Sequence, residues 1–129
     1  MPAEKTPKPT GAELDLLHIL WQRGPSTVAE IHDAQGGRGT GYTTTLKVLQ
    51  RMKTKGLVCR DESRRSHVYS AAVAAERTQR QLVRDLLQRA FGGSPGALVV
   101  QALSEKQASP EELAQIRQLL DKMDREKKS

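Results

Sequence analysis

Eight basic residues, Arg38, Lys47, Arg51, Lys53, Lys55, Arg60, Arg64 and Arg65, stand against only Asp61 and Glu62 between Gly36 and His67. That quarter of the chain therefore nets +6, equal to the net charge of all 129 residues. Clustered cations of this kind are the electrostatic footprint of a polyanion partner. A solvated basic surface is the alternative, and the presentation of the side chains decides between them. The segment from Thr43 to Lys55 ends at Gly56 and reads as a helix. At about 100° per residue, Thr45, Leu46, Leu49 and Met52 share one side, while Thr44, Lys47, Arg51, Thr54 and Lys55 lie roughly opposite. Hydroxyl, ammonium and guanidinium groups on one exposed face supply phosphate donors and base-edge readers on a rod that fits the major groove. Thr43, Thr44 and Lys47 at the helix start are the candidate base contacts, with Arg51 one turn on. Tyr42 joins this set just before the helix, where it either packs as a staple or bonds a phosphate through its hydroxyl.

The elements that must position these groups follow from caps and periodicity. Thr10 with Glu13, and Thr27 with Glu30, have capping-box spacing. They open a helix to about Gln22, with Leu14, Leu17 and Trp21 on its apolar stripe, and a short helix to about Gln35. Trp21 reads as a core residue rather than a stacking platform. Gly36, Gly37, Gly39 and Gly41 form a permissive loop before the basic helix. After Gly56, residues 57–61 and 67–71 read as two short strands, with Cys59 expected as a small packed residue. Arg64 and Arg65 occupy the tip between them, either to touch DNA or merely to solubilise the turn. His67 reads as an ordinary exposed strand residue, with a phosphate contact as the alternative. Three short helices followed by a hairpin is the plan of a winged helix-turn-helix.

Beyond residue 72 the pattern is helical. Leu82, Val83, Leu86, Leu87, Ala90 and Phe91 line one helix up to Gly92 and Gly93, and Ser94 and Pro95 open a second. Ser109, Pro110 and Glu112 open a third, whose Leu113, Ile116, Leu120 and Met123 form a seam and whose tail from Asp124 is expected to fray. Three amphipathic helices in about 50 residues close a core poorly by themselves, so Leu86, Phe91, Leu113, Ile116, Leu120 and Met123 are expected at a homodimer contact, with packing inside one chain as the alternative. The expected organisation is a disordered arm at 1–9, a winged-helix DNA-binding domain at 10–72, a helical dimerisation domain at 73–126 and a tail at 127–129. The fold class is mainly α with a small β-hairpin wing.

Other chemistry is excluded by what the chain lacks. Its single cysteine and scattered His18, His32 and His67 predict neither a disulfide nor a metal site, and no cofactor is expected. It contains no phosphate loop with its lysine and no paired acids in an apolar setting, so it is not expected to be an enzyme. No apolar run reaches membrane-spanning length and the first ten residues do not read as a signal peptide, which predicts a cytoplasmic protein. A DNA-binding repressor is the leading expectation. The rival is a winged helix that docks its basic strip on an acidic protein surface.

The chain resembles the penicillinase and methicillin-resistance repressors (BlaI/MecI type). The resemblance is carried by Thr10, Glu13 and Leu14, by Ile19-Leu20-Trp21, Gly24 and Thr27-Val28-Ala29-Glu30-Ile31, and by Gly41-Tyr42-Thr43-Thr44-Thr45. It continues through Leu49, Arg51-Met52, Lys55-Gly56-Leu57-Val58, Tyr69 and Phe91-Gly92-Gly93-Ser94. It implies a homodimer bound to an inverted-repeat DNA operator, repressing β-lactam-resistance or related genes. Members that respond to β-lactams are inactivated through a membrane metalloprotease sensor pathway, with cleavage at an Asn-Phe bond in the dimerisation domain. The corresponding positions here are Gln101-Ala102, a departure from that pattern. Copper-responsive members carry Cys-x-Cys motifs near the C-terminus, and this chain has no cysteine after Cys59.

Overall fold

The structure is a computed structural model that describes residues 8–36 and 41–128. Much of the arm and the glycine-rich loop considered above lies outside those residues. Among the described residues the elements follow in the order α1 (Gly11–Arg23), β1 (Ser26–Thr27), α2 (Val28–Ala34), α3 (Tyr42–Lys55), β2 (Val58–Asp61), β3 (Val68–Ala71), α4 (Ala75–Ala90), α5 (Pro95–Glu105) and α6 (Pro110–Lys128).

Local chemistry explains where most helices begin and end. In α1 the Thr10 hydroxyl accepts from the Glu13 amide at 3.2 Å, and the Glu13 carboxylate accepts from the Thr10 amide at 2.9 Å. Thr27 and Glu30 repeat the exchange at α2, and Ser109 and Glu112 at α6. Each box satisfies two amides that the first helical turn leaves free. α3 stops in a Schellman motif: Gly56, at φ +82°, donates to the Lys53 carbonyl, and Leu57 donates to that of Met52 at 2.9 Å. The left-handed backbone there is why a glycine ends this helix.

The three strands form an antiparallel sheet in the order β1-β3-β2. β2 and β3 make the expected hairpin, with Arg60 opposite Tyr69 and Asp61 opposite Val68. β1 is the addition: Ser26 and Thr27 pair with Tyr69 and Val68. A two-residue strand carries no periodicity, so only its backbone pairing reveals it. The sheet alternation also overturns the packed placement of Cys59. Val58 points inward and Cys59, the next residue, is exposed, because successive strand side chains take opposite faces.

One core holds this part together. Leu16, Leu17 and Leu20 of α1, Ile31 of α2, Val48, Leu49 and Met52 of α3, Leu57, Val58 and Tyr69 are all buried. Trp21 packs against this cluster and its Nε1–H donates to the Val73 carbonyl at 2.9 Å, so the indole is structural. Pro9, read as part of the arm, is buried.

The chain divides into two compact units, one reaching Arg84 and the other beginning at Asp85. The opening turns of α4 thus belong with the winged helix, and Thr78 is buried there. In the second unit α5 and α6 bury no residue, and α6 runs on through Lys128 rather than fraying at Asp124. Arg125, Lys127 and Lys128 in its last turn complement the negative end of the helix dipole.

Candidate nucleic-acid interface

The face of α3 away from the core is the centre of the basic surface. Thr45, Val48, Leu49 and Met52 are buried, whereas Tyr42, Thr43, Thr44, Lys47 and Arg51 are exposed. Tyr42 is not the residue before the helix but its first turn, because Gly41 takes the N-cap position. Its ring is 49% exposed and meets the edge of His32 at a centroid distance of 6.0 Å. His32 in turn lies 3.4 Å, through Nδ1, from the Thr45 hydroxyl, and that hydroxyl donates to Gln35 Oε1 at 2.7 Å. This partly buried polar link ties the end of α2 to the start of α3 and was not legible as function in the sequence.

The wing supplies the second cationic group. Arg64 and Arg65 are exposed between β2 and β3, in a turn where the Ser63 amide donates to Asp61 Oδ1 at 2.9 Å. Arg60 bonds Glu62 at 2.9 Å, and that guanidinium holds the Glu62 carboxyl below the usual carboxylate range. Tyr42 from α3 and Arg65 from the wing line a common groove with Thr27, Ala29, Leu46 and His67. The helix start and the wing tip thus flank one concave surface, and His67, read as an ordinary strand position, lies on it.

Arg51 and Lys55 differ from Lys47 in having an anion beneath them. Glu13 is fully buried, with its Oε1 2.6 Å from Lys55 Nζ and its Oε2 3.7 Å from Arg51 Nε. Burial pushes the Glu13 pKa up, but hydrogen bonds from Lys55 and the Thr10 amide outweigh it and set the carboxyl below its ordinary value. The capping-box spacing disclosed only the Thr10 half of this arrangement.

The residues expected at a dimer contact lie in the second unit. Leu86, Leu120 and Met123 are exposed, and Phe91, Leu113 and Ile116 are half-buried. Val99, Val100, Leu103 and Leu119 add to the uncovered apolar area. Gln101 and Ala102 lie within α5. Among the described residues no group of three or more His, Cys, Asp or Glu side chains is placed to hold a metal, and no helix is long and apolar enough to cross a membrane.

Known proteins resemble this chain in sequence and fold. The transcriptional regulator BlaI of Mycobacterium tuberculosis is 34% identical over 91 residues, covering 67% of this chain and 66% of that regulator, just under two thirds of its length. The solution structure of the DNA-binding domain of the repressor BlaI covers 57% of this chain and 90% of that one, at 20% identity and a TM-score of 0.49. The crystal structure of YusO from Bacillus subtilis shares the fold over 91% of this chain and 75% of its own, at 21% identity and a TM-score of 0.50. The family model described as penicillinase repressor matches residues 9–122, nearly the whole length, and the chain belongs to that family.

Proposed function

We propose that this protein is a sequence-specific DNA-binding repressor that acts as a homodimer on an inverted-repeat operator, controlling β-lactam-resistance or related genes. The observation that carries the reading is the joint exposure of Thr43, Thr44, Lys47 and Arg51 on α3 beside Arg64 and Arg65 on the wing. Hydroxyls and the Lys47 ammonium at the start of α3 reach base edges in the major groove, and that ammonium and the guanidinium groups neutralise phosphate. The N-terminal unit binds DNA and the C-terminal helices pair two copies. Apolar side chains left uncovered on α4, α5 and α6 support the pairing, since an isolated protomer leaves them in water. A two-fold dimer sets its recognition helices about one DNA turn apart, ~34 Å, and so demands a palindromic site.

The protein works in the cytoplasm on this reading. A membrane metalloprotease sensor pathway is its upstream partner by family behaviour, and Gln101-Ala102, within α5, stands where β-lactam-responsive members carry the Asn-Phe bond that is cut. Selection of duplexes from a random pool by the full chain tests the central claim. The expected product is a palindrome whose half-site centres lie one helical turn apart. Recovery of unrelated sequences with no enrichment refutes it.

A further inference from the structure

Lys47, Arg51 and Lys55 recur every four residues along α3, advancing only about 40° per step, so the sequence lays three cations in one column down the exposed face. The structure treats them unequally. Lys47 is exposed, the Arg51 side chain is 60% exposed, and that of Lys55 is only 27% exposed. The difference traces to Glu13, a residue of α1 whose carboxylate is entirely covered and lies against the C-terminal turn of α3. Lys55 Nζ donates to Glu13 Oε1 at 2.6 Å and to the Lys8 carbonyl at 3.4 Å. Glu13 Oε2, which accepts no hydrogen bond from the described residues, lies 3.7 Å from Arg51 Nε.

The placement favours a fixed charge. Glu13 occupies the first turn of α1, where the helix dipole is positive, and Lys55 the last turn of α3, where it is negative. An ammonium bonded to a covered carboxylate and a carbonyl has little left to offer a phosphate. A guanidinium approached through Nε keeps its two terminal nitrogens for one.

Resting on the DNA-binding reading above, we propose that Glu13 is a positioning residue that selects which cations of α3 meet DNA, withholding Lys55 while leaving Arg51 its outward terminal nitrogens. Substitution by the isosteric glutamine frees Lys55 to complete the column. Each additional phosphate neutralised adds about 0.9 to the slope of log affinity against log salt, so Glu13→Gln steepens the slope of a dimer by about 1.8.

The experiment measures that slope by fluorescence anisotropy for the full chain on a random-sequence duplex. Lys55→Met leaves the slope unchanged when Glu13 is present and removes the added 1.8 when Glu13 is glutamine. Glu13→Gln and Glu13→Gln/Lys55→Met both lack the buried charge, so their comparison is free of the cost of orphaning it. A merely structural Glu13 would change affinity or melting temperature without making the slope depend on Lys55. The assignment is overturned if Glu13→Gln matches the unaltered slope, if the double variant keeps the steeper one, or if Lys55→Met flattens the slope of an otherwise unaltered chain. Amine-reactive footprinting reads the same claim without a substitution. Lys55 is expected to react several-fold more slowly than Lys47 and Lys53, and equal reactivity overturns the assignment. Failure of the unaltered chain to bind any duplex instead overturns the DNA-binding reading, and the assignment falls with it.

Discussion

Replacing Lys47 by alanine isolates the electrostatic part of DNA binding. Lys47, Arg51, Arg64 and Arg65 project from α3 and the wing, while Lys55 and Arg60 are engaged by Glu13 and Glu62. Four cations per protomer make eight in a dimer, and at about 0.9 per phosphate the slope of log affinity against log salt is near −7. Affinity should then fall by about four orders of magnitude between ~50 and ~200 mM salt. Lys47→Ala removes one contact from each protomer and makes the slope shallower by about 1.8. Lys47 is exposed on the side of α3 opposite the core, so the melting temperature should hardly move. Anisotropy titrations of a labelled duplex at four or more salt concentrations measure both slopes. An unaltered slope shallower than about −3 means fewer than two cations per protomer touch phosphate, and the assignment of this face to DNA is then wrong.

Leu120→Asp places a charge on an α6 side chain that is 55% exposed in the protomer. Light scattering should report a monomer, and operator affinity should fall at least ~100-fold as bivalency is lost; a demonstrated monomer with undiminished affinity contradicts the dimer requirement. Leu49→Ala empties a fully buried position of α3 and should cost about 2–5 kcal/mol in chemical denaturation, with a loss below ~1 kcal/mol arguing against the packing described. Folding lowers the Glu13 pKa, so its stabilisation is present above the ordinary carboxylate range and is lost as pH falls through the lowered folded value. The melting-temperature advantage of the unaltered chain over Glu13→Gln should accordingly shrink from pH 6 towards pH 3, and an advantage that grows with acid contradicts the ion-pair account.

What the sequence disclosed was local. Angular spacing separated Lys47 and Arg51 from Leu49 and Met52, and the three capping boxes located helix starts, because those interactions span four residues or fewer. Glu13 and Lys55 are 42 residues apart, and no spacing rule joins them; the glutamate already had a complete explanation as a cap. Two-residue β1 was invisible for a related reason, since its pairing partners lie 43 and 41 positions away. Cys59 was misplaced because small side chains occupy either face of a short strand, and only the register with β3 decides which. Spacing alone could not show that Tyr42 meets His32 and lines a groove with Arg65, since both partners are distant in sequence.

The pairing of Ser26 and Thr27 with β3 has a mechanical corollary. Thr27 is at once the last residue of that strand and the cap of α2, so the hairpin is hinged directly onto the helix that precedes the reading helix. On the proposed DNA-binding reading, a phosphate backbone that pushed on the wing would push on the start of α2 as well, through the β1–β3 backbone bonds. A tip lengthened by insertion would act as a longer lever on the same pivot.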